Sequence, residues 1–208
     1  MLRNGRNSMK AIINDSEIRR YMSLACVYSK GNIICHEGQP CETVGFIASG
    51  SLEMVHYDQE GHRMTLARLN THELFGDFLI HSDKPEYPGY LIAKEDTAVF
   101  YMNKESLERL LETNTKFRTF YLSYLSKKAL DFSLDNKMLR LKSLRERIIF
   151  YIRSHSESPA HTRVYIESKA SLAKKLNVRR PSLSRELAMM KKVGLIDYDR
   201  KSLTLLKG

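Results

Sequence analysis

Residues 169–187 constrain this chain more than any other stretch: Lys169-Ala-Ser-Leu-Ala-Lys-Lys-Leu-Asn-Val-Arg-Arg-Pro-Ser-Leu-Ser-Arg-Glu-Leu. Leucines four apart occur twice, Leu172 with Leu176 and Leu183 with Leu187, so two short helices each turn one apolar edge inward. Ala173 is small enough to let them cross closely. Asn177 falls at the turn between them, where a left-handed residue is needed and Asn tolerates that backbone well. Val178 plugs the corner. The pattern is a helix-turn-helix. The second helix carries Arg179, Arg180, Ser182, Ser184 and Arg185 on its open side. Arg can donate two hydrogen bonds to a guanine edge in the major groove, and Ser hydroxyls suit phosphates or base edges. The implied partner is double-stranded DNA.

The charge distribution agrees. The formal net charge is +10, but residues 139–208 hold 17 Lys and Arg against 6 Asp and Glu, while the remainder holds 17 against 18. A basic third joined to a near-neutral remainder is the electrostatic footprint of a nucleic-acid-binding domain beside a partner domain. Cys26, Cys35 and Cys41 make an odd, sparse set, which gives no disulfide framework and fits a cytoplasmic setting. No apolar run reaches the length of a membrane span, and Met1 to Met9 lacks a signal-peptide core. Residues 1–14 therefore read as a disordered leader. No G-x-S-x-G, H-E-x-x-H, P-loop or paired-carboxylate arrangement occurs, so no catalytic residue and no metal ligand is assigned.

The coarse organisation is α+β. Asp15 to Leu24 reads as a short helix capped by Asp15 or Ser16. Short strands follow at Ile33–His36, Val44–Ala48, Leu52–Tyr57, Met64–Leu69, Tyr90–Ala93 and Ala98–Met102. Gly31, Gly38, Gly50, Gly61 and Gly76 punctuate them where turns require positive φ, and Gln59 to His62 suits a hairpin tip. Such spacing predicts an antiparallel barrel or jelly roll. Asn103–Thr113 and Thr115–Leu139 read as helices. The longer one has a seam at Leu122, Leu125, Ala129, Phe132, Asn136 and Leu139, three and four apart, and a second apolar stripe at Phe117, Tyr121 and Tyr124. One stripe suits the barrel and the other a twin, which predicts a homodimer with Leu122, Leu125, Ala129 and Phe132 at its helix interface.

The boundary of the last domain falls near Leu141-Lys142. Ser143 and Glu146 form a capping box that opens a helix to about His155. Val164–Ile166 reads as a strand. Gly194 ends the second helix of the motif, and Leu195–Tyr198 with Leu203–Leu206 form a hairpin whose basic tip holds Arg200 and Lys201, a wing suited to phosphates. Lys169, at the start of the motif, joins these as a DNA contact. The domains are thus a leader (1–14), a sensing β-barrel (15–114), a dimerisation helix and hinge (115–141) and a winged helix-turn-helix (142–208).

This order resembles the Crp/Fnr family of bacterial transcription regulators over about residues 15–207. The residues that carry the resemblance are Gly31 and Gly38, Phe46-Ile-Ala-Ser-Gly50-Ser-Leu, Gly61-His-Arg, Phe75-Gly76-Asp77, Arg147-Ile148, Val178-Arg-Arg-Pro-Ser-Leu-Ser-Arg185 and Gly194-Leu-Ile. The resemblance implies a homodimer, a near-palindromic operator and base contacts at Arg180 and Arg185, with RNA polymerase as a further partner. It also places a hinge near Met138 to Lys142. The best-known family pattern has Glu after the first of these arginines, where this chain has Pro181. Pro181 suits a first helical turn and is expected to push Arg180 toward an extended backbone.

The candidate effector pocket is Gly76, Asp77, Tyr87 and Tyr90, and a small organic ligand contacting Tyr87, Tyr90 and the inner barrel is one choice of effector. Members that bind cyclic nucleotides carry Gly-Glu and then Arg-Ser about ten residues on, where this chain has Gly76-Asp77 and Tyr87-Pro88. Without the arginine a phosphate lacks its bidentate partner, which argues against cyclic AMP. Three scattered cysteines argue against an iron–sulfur cluster. His36, His56, His62, His72 and His81 leave haem open, and Cys35 with Cys41 leaves open an oxidant-sensing pair. The resulting expectation is a DNA-binding regulator whose effector is not a cyclic nucleotide, or which has none. The competing expectation is a ligand- or redox-sensing interaction module.

Overall fold

A computed structural model describes residues 9–156 and 162–206. Contacts group the chain into residues 1–126 and 127–208, and the division falls inside one continuous helix.

The first unit is an antiparallel jelly roll of two four-stranded sheets. One sheet runs in the order β1 (Cys26–Tyr28), β8 (Thr97–Asn103), β3 (Thr43–Ser49), β6 (Leu74–Phe75). The other runs β2 (Ile33–Cys35), β7 (Tyr90–Ala93), β4 (Ser51–Tyr57), β5 (Arg63–Asn70). Their inner faces bury Val44, Phe46, Leu52, Leu74, Phe75, Leu91, Val99 and Met102. The expected hairpin tip lies between Tyr57 and Arg63, which pair across β4 and β5. All five expected glycines have positive φ. At Gly50 a Cβ would stand 2.5 Å from the Asp96 carbonyl, so glycine is required there for space as well as for backbone.

Two short strands were not legible. β1 and β6 have three and two residues, too short for an alternating pattern to register. The N-terminal expectations also change. Residues 1–8 of the expected leader lie outside the described residues, but residues 9–13 are helical, and Met9, Ile12 and Ile13 are buried in the barrel core. Helix α1 is only Ser16–Arg19, capped by the Asp15 side chain, rather than running to Leu24. It stops because the chain turns into the sheet: the Ser23 N–H donates to the Tyr101 carbonyl, and Arg19 lies 3.7 Å over the Phe100 ring.

Helix α2 (Lys104–Thr113), capped by Asn103, leads to α3 (Thr115–Leu139). Phe117 and Tyr121 on α3 are buried against the barrel, and Tyr124 and Leu125 pack beside them. Leu122, Ala129, Phe132 and Leu139 are exposed. The two stripes therefore separate, with Leu125 on the barrel side.

In the second unit α4 (Leu144–His155) opens with the expected capping box, Ser143 with Glu146. A three-stranded sheet in the order β10 (Ile196–Tyr198), β11 (Ser202–Leu205), β9 (Arg163–Tyr165) packs with α4, α5 (Lys169–Lys175) and α6 (Arg180–Lys192). Leu172, Ala173, Leu176, Leu183 and Leu187 are all buried in this core, as is Met138, one of the residues expected at a hinge. Among the described residues, no helix is long and apolar enough to cross a membrane.

Candidate nucleic-acid interface

The turn between α5 and α6 positions the site. Asn177 has φ 53°, in the left-handed region, and the Val178 N–H donates back to the Ala173 carbonyl. Arg179 then takes the extended conformation at the N-cap, with ψ 138°. Arg180 is the first helical residue, so the expectation that Pro181 would extend it is wrong. The helix begins one residue before proline, and the missing N–H of Pro181 falls among the four that have no intrahelical partner. The extended entry falls to Arg179 instead.

The buried stripe Leu183, Leu187 and Met190 fixes the rotation of α6. Arg185 leaves the helix on the opposite, exposed side, and Arg180 and Ser184 share a flank one turn apart. Arg179, Arg180 and Arg185 are exposed; Ser182 and Ser184 are half-buried. Between the helix-turn-helix and the wing lies a cleft of about 560 Å³ lined by Glu167, Ser168, Lys169, Ala170, Arg180, Arg200 and Lys201. It brings together four of the expected cations. Lys169 is held at its edge, with Nζ 4.4 Å from the Tyr198 ring centroid. The wing tip is shaped by Asp199, whose carboxylate accepts from the Lys201 and Ser202 N–H groups at 2.6 and 2.7 Å. These backbone bonds, with the Ser202 hydroxyl, hold the Asp199 carboxyl below the usual carboxylate range. Arg200 and Lys201 remain exposed beside it.

Several contributors were not anticipated. Arg145 on α4 donates to the Glu186 carboxylate on α6 at 2.8 Å. Arg147 donates to the carbonyls of Leu141 and Leu176, at 3.1 and 3.3 Å, joining the end of α5 to the segment before α4. Lys191 pairs with Asp197 at 2.6 Å. Opposite charges in the sequence hint at such pairs, but no local spacing marks residues 41 apart as partners.

In the barrel two of the four expected effector residues, Asp77 and Tyr87, are buried. Tyr87 is buried, and the Cys41 thiol donates to its hydroxyl at 3.6 Å. Gly76 closes over this spot: a Cβ there would lie 2.6 Å from the Thr43 carbonyl and 3.2 Å from the Tyr87 hydroxyl. Asp77 is also buried, and its carbonyl accepts from the Tyr121 hydroxyl of α3 at 3.0 Å. Tyr90 stands edge-on to His36 and Tyr57. Burial pushes the Cys35 thiol up to about 11 and raises Cys41 as well, which disfavours the thiolate that oxidants attack. The histidines are dispersed: His56 pairs with Glu37, His62 with Asp58 and His81 with Glu108. Among the described residues, no group of three His, Cys, Asp or Glu could hold a metal ion.

Comparison with known proteins places this geometry. Residues 25–114 match the cyclic nucleotide-binding domain family. The anaerobic regulatory protein of Bacillus subtilis is 24% identical over 184 residues, covering 85% of this chain and 77% of that protein. The cAMP-activated global transcriptional regulator CRP of Salmonella typhimurium is 25% identical over 87 residues, which is 42% of this chain and 41% of CRP. Among solved structures, a mutant of CooA from Carboxydothermus hydrogenoformans superimposes with a TM-score of 0.65 at 18% identity, covering 96% of this chain and 91% of that one. At such identity the likeness shows the fold alone.

Proposed function

We propose that this chain, which is similar to Crp/Fnr-type transcription regulators and matches the cyclic nucleotide-binding domain family over residues 25–114, is a homodimeric, sequence-specific DNA-binding regulator. The observation that carries this reading is the cleft in which Lys169, Arg180, Arg200 and Lys201 converge, with Arg185 exposed further along α6. Arg180 and Arg185 contact bases, Ser182 and Ser184 contact bases or phosphates, and Lys169, Arg179, Arg200 and Lys201 contact phosphates. The exposed stripe of Leu122, Ala129 and Phe132 along α3 supports pairing with a second copy. A two-fold dimer reads a near-palindromic operator with half-sites about 34 Å apart. RNA polymerase is the further partner of a regulator bound at such a site.

The sensing role belongs to residues 15–114, the dimer helix to 115–141 and DNA reading to 142–208. The effector is other than a cyclic nucleotide, or there is none: Tyr87, which the resemblance sets where cyclic-nucleotide binders carry an arginine, is buried and accepts from the Cys41 thiol. The surface pairing of His56, His62 and His81 gives haem no support.

The test replaces Arg180 and Arg185 together with Ala and measures binding to a selected operator. Each lost base contact is expected to cost about 1–3 kcal/mol. Unchanged thermal unfolding with loss of specific binding is the expected result; specific binding that survives the double substitution refutes the reading.

A further inference from the structure

We infer that α6 reads its operator through hydrogen-bond donors, because Arg145 withdraws the one carboxylate the helix possesses. This rests on the DNA-binding reading above and specifies what the site recognises.

Glu186 is the only acidic residue of α6. Its carboxylate accepts from the Arg145 Nε at 2.8 Å, and its side chain is 22% exposed. Helical rotation sets it beside the buried stripe, toward α4, rather than on the open side with Arg185. The acids of the wing are engaged as well: Asp197 with Lys191, and Asp199 with Arg163, Ser202 and the Lys201 N–H. Glu167 lines the cleft but precedes α5 and is not on the recognition helix. Arg180 and Arg185 are the exposed fixed donors of α6, and the half-buried Ser182 and Ser184 can donate or accept.

That surface has a defined complement. Guanine presents two acceptors in the major groove, N7 and O6, which a guanidinium fork matches. Cytosine presents only an amino donor, which needs an acceptor such as a carboxylate. The G·C pairs that Arg180 and Arg185 contact are thus read from the guanine side. Arg145 is a positioning residue: it holds Glu186 out of the groove and offsets a negative charge that would otherwise oppose the phosphates.

The experiment uses the full chain. Operators are selected from random duplex DNA with the native protein, Glu186→Gln, Arg145→Ala and the double variant. Glu186→Gln is expected to select the same half-site with affinity within about threefold. Arg145→Ala is expected to weaken binding to all sequences alike, and adding Glu186→Gln to restore it. A shift of base preference in Glu186→Gln would mean that Glu186 reads a base, and would overturn the inference. Failure of the double variant to recover would show that Arg145 itself contacts DNA, and would overturn its assigned role. A measurement on the native protein guards against misfolded variants. Replacing the selected guanines with 7-deazaguanine is expected to reduce binding about tenfold or more per position; undiminished binding overturns the inference. If no sequence is enriched by the native protein, the DNA-reading function fails, and the inference with it. Enrichment that depends on Glu186 removes the inference alone.

Discussion

Glu53 is a carboxylate with 0% of its side chain exposed, and it is ionised. Arg63 donates to it at 2.8 Å, Lys94 pairs with it at 3.0 Å, and the Thr65 hydroxyl donates at 2.8 Å. Burial raises its carboxyl, but the bonds from Arg63, Lys94 and Thr65 outweigh this and hold it at about 2, against an ordinary 4.5. A depressed folded value means that its stabilisation is complete above about pH 4.5 and is lost as the pH falls toward 2. Glu53→Gln is therefore expected to cost roughly 1–3 kcal/mol at pH 7. The gap to the native chain should close in acid, as measured by urea unfolding across that range. A gap that stays constant with pH refutes the charge-based account. Nothing in the sequence marks Glu53 as special. Its partners come from β5 and from the end of β7, and only the pairing of β4 with both strands brings them to one place.

At the scale of elements, the helix-turn-helix was legible nearly residue by residue. Asn177 is in the left-handed region, as its position between two leucine pairs demands, and Gly194 ends α6 with φ 71°. Asn177→Ala is expected to destabilise the second unit by about 1 kcal/mol, because a Cβ is disfavoured there and Ala lacks the polar side chain that eases it. Asn177→Gly should be tolerated, and thermal melts of the two variants compare them directly. Equal melting of the Ala variant and the native chain would refute strain at this turn. The long helix was legible in extent and in its two stripes, because a 25-residue run without Gly or Pro leaves no other reading. The start of α6 was not. A residue before proline ordinarily avoids the helical region, but Arg180 is helical at the first turn of α6, and Arg179 makes the extended entry.

For the whole molecule, the decisive feature is the exposure of Leu122, Ala129 and Phe132 along α3. Phe132 is 71% exposed and Leu122 56%. If the seam is the dimer interface, Phe132→Glu should yield monomers in sedimentation experiments. Operator affinity should fall by much more than the loss of one local contact would cause, because two half-sites are no longer read together. A dimer that persists in this variant refutes the seam. The sequence by itself determined whatever depends on neighbours a few residues apart: caps, turns requiring positive φ, the leucine spacing of α5 and α6 and the concentration of positive charge in the last third. The tertiary structure alone decided which distant polar groups meet. Cys41 finds Tyr87 across 46 positions, and Arg145 finds Glu186 across 41. Such pairs have no periodicity, because their geometry is set by how strands and helices stack and not by the repeat of any one element.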